Sequence, residues 1–536
     1  MTITSFQFLG FILITLIVFR LFPVKKQWWV LFAASVIFFL SFDVVGIFVM
    51  IGTALLTYFA AIGVQNYKDQ YVAWLKENKK TADKETRKAK RAIYQKKQKL
   101  IVAGTVVVTI GILFLCKYYK VLAVDFNNLF DTKLWTAENI LLPLGISYYS
   151  LQLIGYLVDV HRDIIQAEKN PLKIILYGGF FLSIMQGPFN RYNDLMPQIC
   201  AEERNKLTYL DFKFAVLRIV GGYIKKLCIA DQVGIIANEV FTNYENYAGL
   251  GIFVGIVCFA VQLYADFSGY MDIIVGIGQL FGIKMSENFR QPFFSRNMSE
   301  FWKRWHITLG MWLQDYVFYP ILKSSVFKKM GKGITNKLGK EAGRRIPTYI
   351  GMFILWTLIG AWHGAGFNYV FGVGILQFLY IFTGELCEPV FKKAKGFLHI
   401  NDKSLGWHIF QSLRCTALMM FAWVFFNSRT FSDALGMLRK LFVIPNLSQL
   451  TIGLFESGEG AVSGYILNWM VFLLVCISSL IIADLLHEKN ISVRSSVLDR
   501  PFSVRALCYI FLFFILLIFA AYGDQNAASN FIYFEF

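Results

Sequence analysis

Two of the six histidines stand where an imidazole could act as a base. The six are His161, His306, His363, His399, His408 and His487. His363 ends an apolar run in the string LWTLIGAWHGAGFNYV (355–370). Burial favours the neutral form of imidazole, which is the form that a general base needs near neutral pH. Gly360, Gly364 and Gly366 would let a second backbone or a ligand approach this ring closely. The alternative role for His363 is packing.

His306 stands in the string FWKRWHITLGMWLQDYVFYP (301–320), where aromatic and charged residues alternate. Read as one helix, this segment has four large apolar side chains on one face and its charges opposite: Trp302, Trp305, Leu309 and Trp312. The alternative to a chemical role is an interfacial helix with an aromatic belt.

The region 266–322 mixes apolar turns with charged residues, which are Asp266, Asp272, Arg290, Arg296, Arg304 and Asp315. Charges at membrane depth are costly unless they line a cavity or a protein interior. We therefore predict that this region lines the functional core and includes short or re-entrant helices. Its charges either position substrate groups or form ion pairs that hold helices together.

The eight cysteines are scattered, mostly inside apolar runs, and none has CxxC or Cys–His metal-site spacing. We predict that they are small core residues, and that the chain has no metal site and no bound cofactor.

The elements that carry these residues are predicted to be membrane helices. Of the 536 residues, 56% are hydrophobic and only 16% are charged. This composition excludes a soluble enzyme and a disordered scaffold and predicts an all-α polytopic membrane protein. Thirteen apolar runs are candidate spans: 5–22, 27–42, 44–64, 100–116, 138–160, 172–187, 210–230, 248–265, 347–362, 366–386, 408–427, 465–486 and 503–521.

Two basic segments predict the orientation. Residues 65–99 carry a net charge of +8 and residues 323–345 one of +7, out of +18 for the whole chain. Basic segments concentrate on the cytoplasmic side, so both termini are predicted outside a multi-pass plasma-membrane protein with an even number of crossings. Segment 65–99 is either a solvated hairpin or a dock for an acidic partner or anionic lipid. Neither segment resembles a nucleic-acid-binding domain.

Five strings, in order, resemble the membrane-bound O-acyltransferase family in its bacterial alginate O-acetyltransferase and teichoic-acid D-alanyl transfer branch. They are PLGISYYSLQLIGYLVDVHR (143–162), MQGPFNRYNDLMPQ (185–198), YADFSGYMDIIVGIGQLFGIKMSENF (264–289), QPFFSRNMSEFWKRWHITLGMWLQDYVFYP (291–320) and LIGAWHGAGFNYV (358–370). The resemblance implies a ring of helices around a thinned centre, where a cytoplasmic funnel and an outer cavity meet near an invariant histidine. It makes His363 that histidine and His306 the second, semi-conserved one.

The resemblance and the charge pattern together give a candidate site. His363, His306 and Tyr533 are the predicted catalytic residues, and Asp266, Arg296, Trp305 and Asn368 are the predicted substrate-binding residues.

Five segments are predicted along the chain. They are 1–64 with the N-terminal spans, 65–99 as the basic cytoplasmic segment, 100–427 as the catalytic core, 428–521 as a loop with further spans, and 522–536 as an extracytoplasmic tail.

The tail ends in FIYFEF (531–536), which has four aromatic residues in six. It resembles an aromatic motif found on some of these transferases, in which the tyrosine is implicated as a transient acyl carrier. The alternative for Tyr533 is a hydrophobic anchor without a covalent role.

The resemblance implies transfer of an acyl group, most simply acetyl, from a cytosolic thioester to an extracytoplasmic polysaccharide. Acetyl-CoA and an acyl carrier protein are both open as donors. If Tyr533 is the first acceptor, a second transferase of SGNH or another type would deliver the group to polymer. The alternatives are D-alanyl transfer from a carrier protein to teichoic acid and, in another class, a transporter of acyl donor or lipid without chemistry.

Overall fold

The computed structural model describes most of the chain. The described residues are 1–130, 142–204, 206–364, 366–443 and 466–520, with backbone only at 120–130 and 466–473. The predicted tail 522–536 with Tyr533 lies outside them, as do the first residues of the predicted span 138–160. No statement below concerns these parts.

The described residues form helices and loops, and their only β structure is an isolated bridge between Phe289 and Trp305. This confirms the all-α prediction for the described part. The chain divides into two compact units, one of residues 1–212 with 277–286 and one of 213–276 with 287–536.

The first unit contains seven complete helices. They are α1 (Phe6–Leu21), α2 (Gln27–Leu40), α3 (Gly46–Glu77), α4 (Lys84–Phe130), α5 (Ile146–His161), α6 (Pro171–Gly179) and α7 (Tyr192–Ile199).

The second unit holds most of α8 (Tyr209–Tyr223) and α10 (Leu250–Leu280) and all later helices. The others are α9 (Asp231–Thr242), α11 (Met298–Arg304), α12 (Ile307–Leu313), α13 (Tyr319–Lys323), α14 (Ser325–His363), α15 (Phe367–Tyr369), α16 (Leu376–Leu386), α17 (Glu388–Phe397), α18 (Leu405–Asn427), α19 (Phe431–Leu441), α20 (Ile466–Glu488), α21 (Val493–Leu498) and α22 (Phe502–Phe519). Three π-helical turns join neighbours in this unit: Ile224–Ala230, Gln314–Phe318 and Val370–Ile375.

Seven helices in the described part are long and apolar enough to cross a membrane. They are Gly46–Glu77, Lys84–Tyr119, Leu250–Leu280, Ser325–His363, Phe367–Leu386, Leu405–Asn427 and Phe502–Phe519. Seven of the thirteen predicted runs fall on these helices. The multi-pass prediction is therefore supported, whereas the orientation of the termini stays a prediction.

Polar caps fix where several helices begin. The Ser5 hydroxyl accepts a hydrogen bond from the Phe8 backbone N–H, and Ser324 and Ser404 cap α14 and α18 in the same way. Such caps satisfy N–H groups that a helix start leaves without an intrahelical partner. Each of these serines precedes an apolar stretch in the sequence, so the helix starts follow local chemistry.

The predicted span 172–187 is wrong as a single helix. Only α6 is helical there, and the chain then turns through 180–190, where every residue is buried. A Cβ on Gly187 would lie 2.3 Å from the Ser183 Cα, so only glycine permits this tight fold. Non-helical backbone at membrane depth is tolerated when protein surrounds it.

Two expectations for the region 266–322 also need correction. Helix α10 stays regular through Asp266 and Asp272 to Leu280, so the irregular backbone begins after residue 280. The segment 301–320 is not one helix, because α11 ends at Arg304 and α12 begins at Ile307. The break places Trp305 and His306 between two short helices, as the prediction of short helices in this region anticipated.

Candidate active site

A cavity of about 440 Å³ in the second unit is lined by both candidate histidines, His306 and His363. We call it the histidine cavity. Its wall is mainly apolar and aromatic, including Trp305, with a few polar side chains such as Lys303 and Glu385. A concave, mostly apolar site with few polar groups is typical of small-molecule binding sites in proteins.

His306 has an unusual backbone conformation. Its φ of 47° and ψ of 49° lie in the left-handed region, which costs energy for any residue with a Cβ. The preceding residue, Trp305, forms the isolated bridge with Phe289, and the Arg290 N–H donates to the Arg304 carbonyl at 2.9 Å. The segment after α10 thus aligns with the break between α11 and α12.

Asn288 holds the residues that follow His306. Its side-chain oxygen accepts hydrogen bonds from the Thr308 N–H at 3.0 Å and from the Thr308 hydroxyl at 2.6 Å. Its backbone carbonyl accepts from the Ile307 N–H at 3.1 Å. Asn288 is fully buried, so these bonds are shielded from water. They offset the cost of the left-handed turn at His306.

The His306 ring lies among aromatic side chains. Its centroid is 4.8 Å from that of Phe267 on α10, edge to face, and 6.5 Å from that of Trp362. His306 is only 2% exposed. Burial holds the pKa of this imidazole well below its ordinary value, so the ring is neutral at pH 7.

His363 reaches the cavity because it is the last residue of α14. The chain becomes extended at Gly364, with φ −170° and ψ 165°, and this ends the helix. The His363 ring lies 4.9 Å from the Trp362 ring and 5.7 Å from the Phe426 ring of α18. The side chain is buried, so it meets the cavity from an apolar, aromatic surround.

Two glycines let α14 pack closely against the chain that returns from His363. A Cβ on Gly360 would lie 2.7 Å from the Val370 Cα, and one on Gly374 would lie 2.8 Å from the Trp356 carbonyl oxygen. Both distances are too short for any side chain, so Gly360 and Gly374 allow the approach of α14 to the π-helical turn Val370–Ile375.

Trp305 lines the cavity and anchors its aromatic wall. Its ring lies 5.6 Å from that of Phe301, 5.3 Å from that of Trp423 on α18 and 5.0 Å from that of Phe289. Edge-to-face and offset contacts of this kind stabilise aromatic clusters beyond their buried area. The wall fixes the backbone on which His306 sits.

Asp266 lies apart from the cavity lining in a buried ion-pair cluster. The Lys226 ammonium is 2.7 Å from an oxygen of Asp266 and 2.7 Å from an oxygen of Asp231. All three side chains are at most 4% exposed. We call these residues the lysine triad. Its geometry is that of the ion pair between helices, the second role that the sequence left open for Asp266.

Arg296 and Asn368 also lie outside the cavity lining. Half of the Arg296 side chain is exposed, and its nearest acid is Glu300 at 3.6 Å. Asn368 is buried and donates both side-chain N–H groups, to the Phe425 carbonyl at 3.2 Å and to the Ser428 carbonyl at 2.8 Å. Asn368 thus ties the start of α15 to the end of α18. Substrate roles for both residues stay predictions.

The structure adds residues that the sequence did not single out. Asn288 holds the turn at His306, Phe267 packs on its ring, and Lys226 joins Asp231 and Asp266. One signal was available for Lys226, since a lysine inside the apolar string IKKLCIA demands a partner. The string SENF around Asn288 carries no pattern that would reveal its long-range bonds.

Comparisons with known proteins give a family match and several relatives. Residues 37–335, more than half of the chain, match the model of the membrane-bound O-acyltransferase family. This match includes His306 and ends before His363.

Three relatives show the range of similarity. A probable alginate O-acetylase of Pseudomonas syringae pv. tomato is 32% identical over 306 residues, covering 57% of this chain and 52% of the relative. A peptidoglycan O-acetyltransferase of Helicobacter pylori is 25% identical over 547 residues, covering 96% and 92%. A teichoic acid D-alanyltransferase of Bacillus subtilis is 31% identical over 243 residues, covering 44% and 56%. The similarity thus spans about half the length of the alginate and teichoic acid relatives.

Proposed function

The chain belongs to the membrane-bound O-acyltransferase family, and from this premise we propose that it O-acylates a polymer of the cell envelope. The observation that carries the proposal is the histidine cavity, where His306 and His363 line one mostly apolar space. A neutral imidazole in an apolar surround is a competent general base for a hydroxyl.

His363 is the proposed general base. Its imidazole takes the proton of the acceptor hydroxyl as that oxygen attacks the carbonyl carbon of an acyl thioester. The carbon–sulfur bond then breaks, and the departing thiolate receives the proton from the imidazolium. His306 lines the same cavity and would orient the donor or acceptor. General-base assistance of this type contributes about 10²- to 10⁴-fold in rate.

Acetyl is the proposed acyl group. The relative that covers 96% of this chain is named as an O-acetyltransferase, whereas the D-alanyltransferase covers 44%. The acceptor would be a hydroxyl of an envelope glycan such as peptidoglycan. D-alanyl transfer is the rival within the same chemistry, and the acyl mass on product separates the two.

The route across the membrane is part of the proposal. The donor, acetyl-CoA or an acyl carrier protein, would enter from the cytosol, and the acceptor would meet the group from outside. Tyr533 would accept the group first, and a separate outer-face transferase would pass it to polymer. The aromatic FIYFEF string in the sequence supports this step.

The test of the function measures acetyl groups on envelope polymer in cells that carry variants of this chain. We expect His363→Ala to abolish polymer acetylation at wild-type protein level. The matched control is His399→Asn, because His399 is exposed and its positive φ of 50° tolerates asparagine. Wild-type acetylation in the His363→Ala strain would refute the catalytic assignment.

The acyl-tyrosine step is tested separately. Tyr533→Phe keeps the ring and removes only the hydroxyl, so polymer acetylation should vanish while expression persists. A C-terminal peptide carrying an added acyl mass should appear by mass spectrometry in wild type and not in His363→Ala. If Tyr533→Phe cells acetylate polymer normally, transfer goes directly to an external hydroxyl. Complete absence of acyl transfer by purified wild-type protein given thioester donor and acceptor would favour a transporter.

A further inference from the structure

A second cavity, of about 360 Å³, lies in the same unit and differs in character from the first. We call it the charged cavity. Three basic side chains and three acidic ones line it: Arg218, Lys225, Arg494, Asp272, Glu287 and Asp484. None of them is a residue of the histidine cavity or of the lysine triad, and the acyl-transfer proposal does not use them.

Four of these charges neutralise one another. The Arg218 Nε lies 2.9 Å from Asp272 Oδ1, and its two terminal nitrogens lie 2.7 and 2.6 Å from the two oxygens of Glu287. Lys225 Nζ lies 2.8 Å from Asp272 Oδ2. Two cations and two anions with this many charge-assisted bonds form a satisfied network. Its role is to shape one wall of the cavity.

The other two charges, Asp484 and Arg494, are not committed to each other. Asp484 is only 7% exposed, and in the described part of the chain one oxygen, Oδ2, accepts the Tyr264 hydroxyl at 2.7 Å while Oδ1 has no bond. Arg494 is half-buried and has no ion pair within 4.0 Å among the described side chains. Unsatisfied buried charges are costly, so a partner for each is expected inside the cavity.

A third group points the same way. The Ser268 hydroxyl lines the charged cavity, and Ser268 is 4% exposed. Within the described residues its oxygen has no hydrogen-bond partner. A helical serine usually bonds a backbone carbonyl one turn earlier, so a hydroxyl left over in a polar cavity indicates a missing ligand or water.

We propose that the charged cavity binds the headgroup of a zwitterionic phospholipid, with its phosphate on Arg494 and its ammonium on Asp484. Both ligand charges are required, because the cavity as a whole carries three charges of each sign and would select neither a simple anion nor a simple cation. Guanidinium binds phosphate through paired N–H donors, and a carboxylate oxygen accepts from a primary ammonium.

The position of the cavity in the chain favours a lipid over a soluble zwitterion. The linker Asn490–Ser492 lines it, and α22 begins ten residues after Ser492. Helix α22 is apolar, and none of its residues is buried, as expected of a surface that faces lipid tails. The sequence predicts the basic linker on the cytoplasmic side. The ligand is therefore a lipid of the inner leaflet, with its tails along the apolar surface nearby.

The experiment measures lipid retention by the purified full-length chain after delipidation in detergent, using native mass spectrometry. Phosphatidylethanolamine, phosphatidylcholine and phosphatidylglycerol are added singly at equal concentration. We expect retention of phosphatidylethanolamine to exceed both others at least tenfold, because the choline headgroup has no N–H donor for Asp484 and the glycerol headgroup has no cation. Equal retention of all three would overturn the proposal.

A soluble headgroup arm identifies the source of the ligand. Glycerophosphoethanolamine at millimolar concentration should displace part of the bound phosphatidylethanolamine, whereas inorganic phosphate should not. Displacement by phosphate alone would show a simple anion site and refute the zwitterion. Binding of glycerophosphoethanolamine without retention of any intact lipid would refute the lipid source.

Two variants with matched controls test the two contacts. Arg494→Gln and Asp484→Asn should each lower phosphatidylethanolamine retention about tenfold, while Arg500→Gln and Asp499→Asn, both exposed on the same stretch of chain, should leave it unchanged. If Asp484→Asn fails to fold, Arg494→Gln decides alone, since Arg494 is only half-buried. Unchanged retention in Arg494→Gln would refute the site. None of these readouts measures acyl transfer, so the site and the proposed function can fail independently.

Discussion

At the scale of single residues, the catalytic hypothesis depends on how His306 is held. A left-handed histidine is uncommon, and its conformation persists only when surrounding bonds enforce it. Here the enforcement comes from Asn288, which binds the N–H and hydroxyl of Thr308 through one side-chain oxygen. Phe267 and Trp305 complete the enclosure of the ring and its backbone. Asn288 is therefore a positioning residue, because it acts through the turn.

Asn288→Ala removes the acceptor for two buried donors on Thr308. We expect kcat for acyl transfer to fall about 100-fold, since displacement of a reacting group by about 1 Å costs that much. Unfolding stability should fall by about 1–3 kcal/mol, the cost of a buried unsatisfied donor. Purified protein with thioester donor and a soluble acceptor gives kcat and KM.

Asn288→Asp is the rescue control, because it keeps the side-chain oxygen that accepts from Thr308. It should recover most of the kcat that Asn288→Ala loses. A normal kcat in Asn288→Ala would show that the turn at His306 holds without this side chain.

At the scale of elements, packing between helices is set by the lysine triad and by two glycines. The π-helical turn Ile224–Ala230 carries Lys226, α9 begins with Asp231, and α10 contributes Asp266. π-helical turns are rare and frequently mark functional sites. On α10, the residue after Asp266 is Phe267, whose ring packs on His306. The triad thus holds the same turn of α10 that contacts the candidate site.

Lys226→Met leaves two buried carboxylates facing each other without a cation. Breaking a buried ion pair by removing one partner costs about 3–5 kcal/mol, so we expect a clear loss of thermal stability in detergent. The same change combined with Asp231→Asn and Asp266→Asn should recover part of the loss, because no uncompensated charge remains. Fluorescence-detected unfolding of the purified variants provides the measurement.

Lys206→Met is the matched control, since Lys206 is exposed. It should leave the unfolding temperature unchanged. Equal stability of Lys226→Met and wild type would mean that the triad contributes nothing to holding these helices.

At the scale of the whole molecule, the unequal distribution of charge predicts the orientation in the membrane. Residues 65–99 carry 12 basic and 4 acidic side chains, and they follow the apolar part of α3 and precede that of α4. Such a basic segment stays on the cytoplasmic side. The outcome matters for the function, because transfer between a cytosolic donor and an outer polymer requires a defined orientation.

Cysteines introduced one at a time provide the test. In a background without the eight native cysteines, positions in 75–95 should react with a membrane-impermeant maleimide only after the cells are opened. A cysteine in place of Ala527 should react in intact cells. Reaction of both sites from the same side would contradict the predicted orientation and the transfer across the bilayer.

The sequence alone determined the class of protein and the two histidines. Composition and run length identify membrane helices because about 30 Å of hydrocarbon demands long apolar segments whatever they pack against. The motif strings singled out His306, His363 and Trp305, which the structure brings to one cavity. These features are local, so they can be read one segment at a time.

Only the tertiary structure decided which polar residues belong to the cavity and which hold the fold. Asp266 and Asn368 are equally polar in the sequence, yet one binds Lys226 and the other binds carbonyl groups at the end of α18. The break at His306 depends on Asn288, 18 positions earlier in the chain, and the charged cavity depends on partners more than 200 residues apart, such as Tyr264 and Asp484. A polar group buried in a low-dielectric interior takes whatever partner folding brings near it, and no local pattern records that partner.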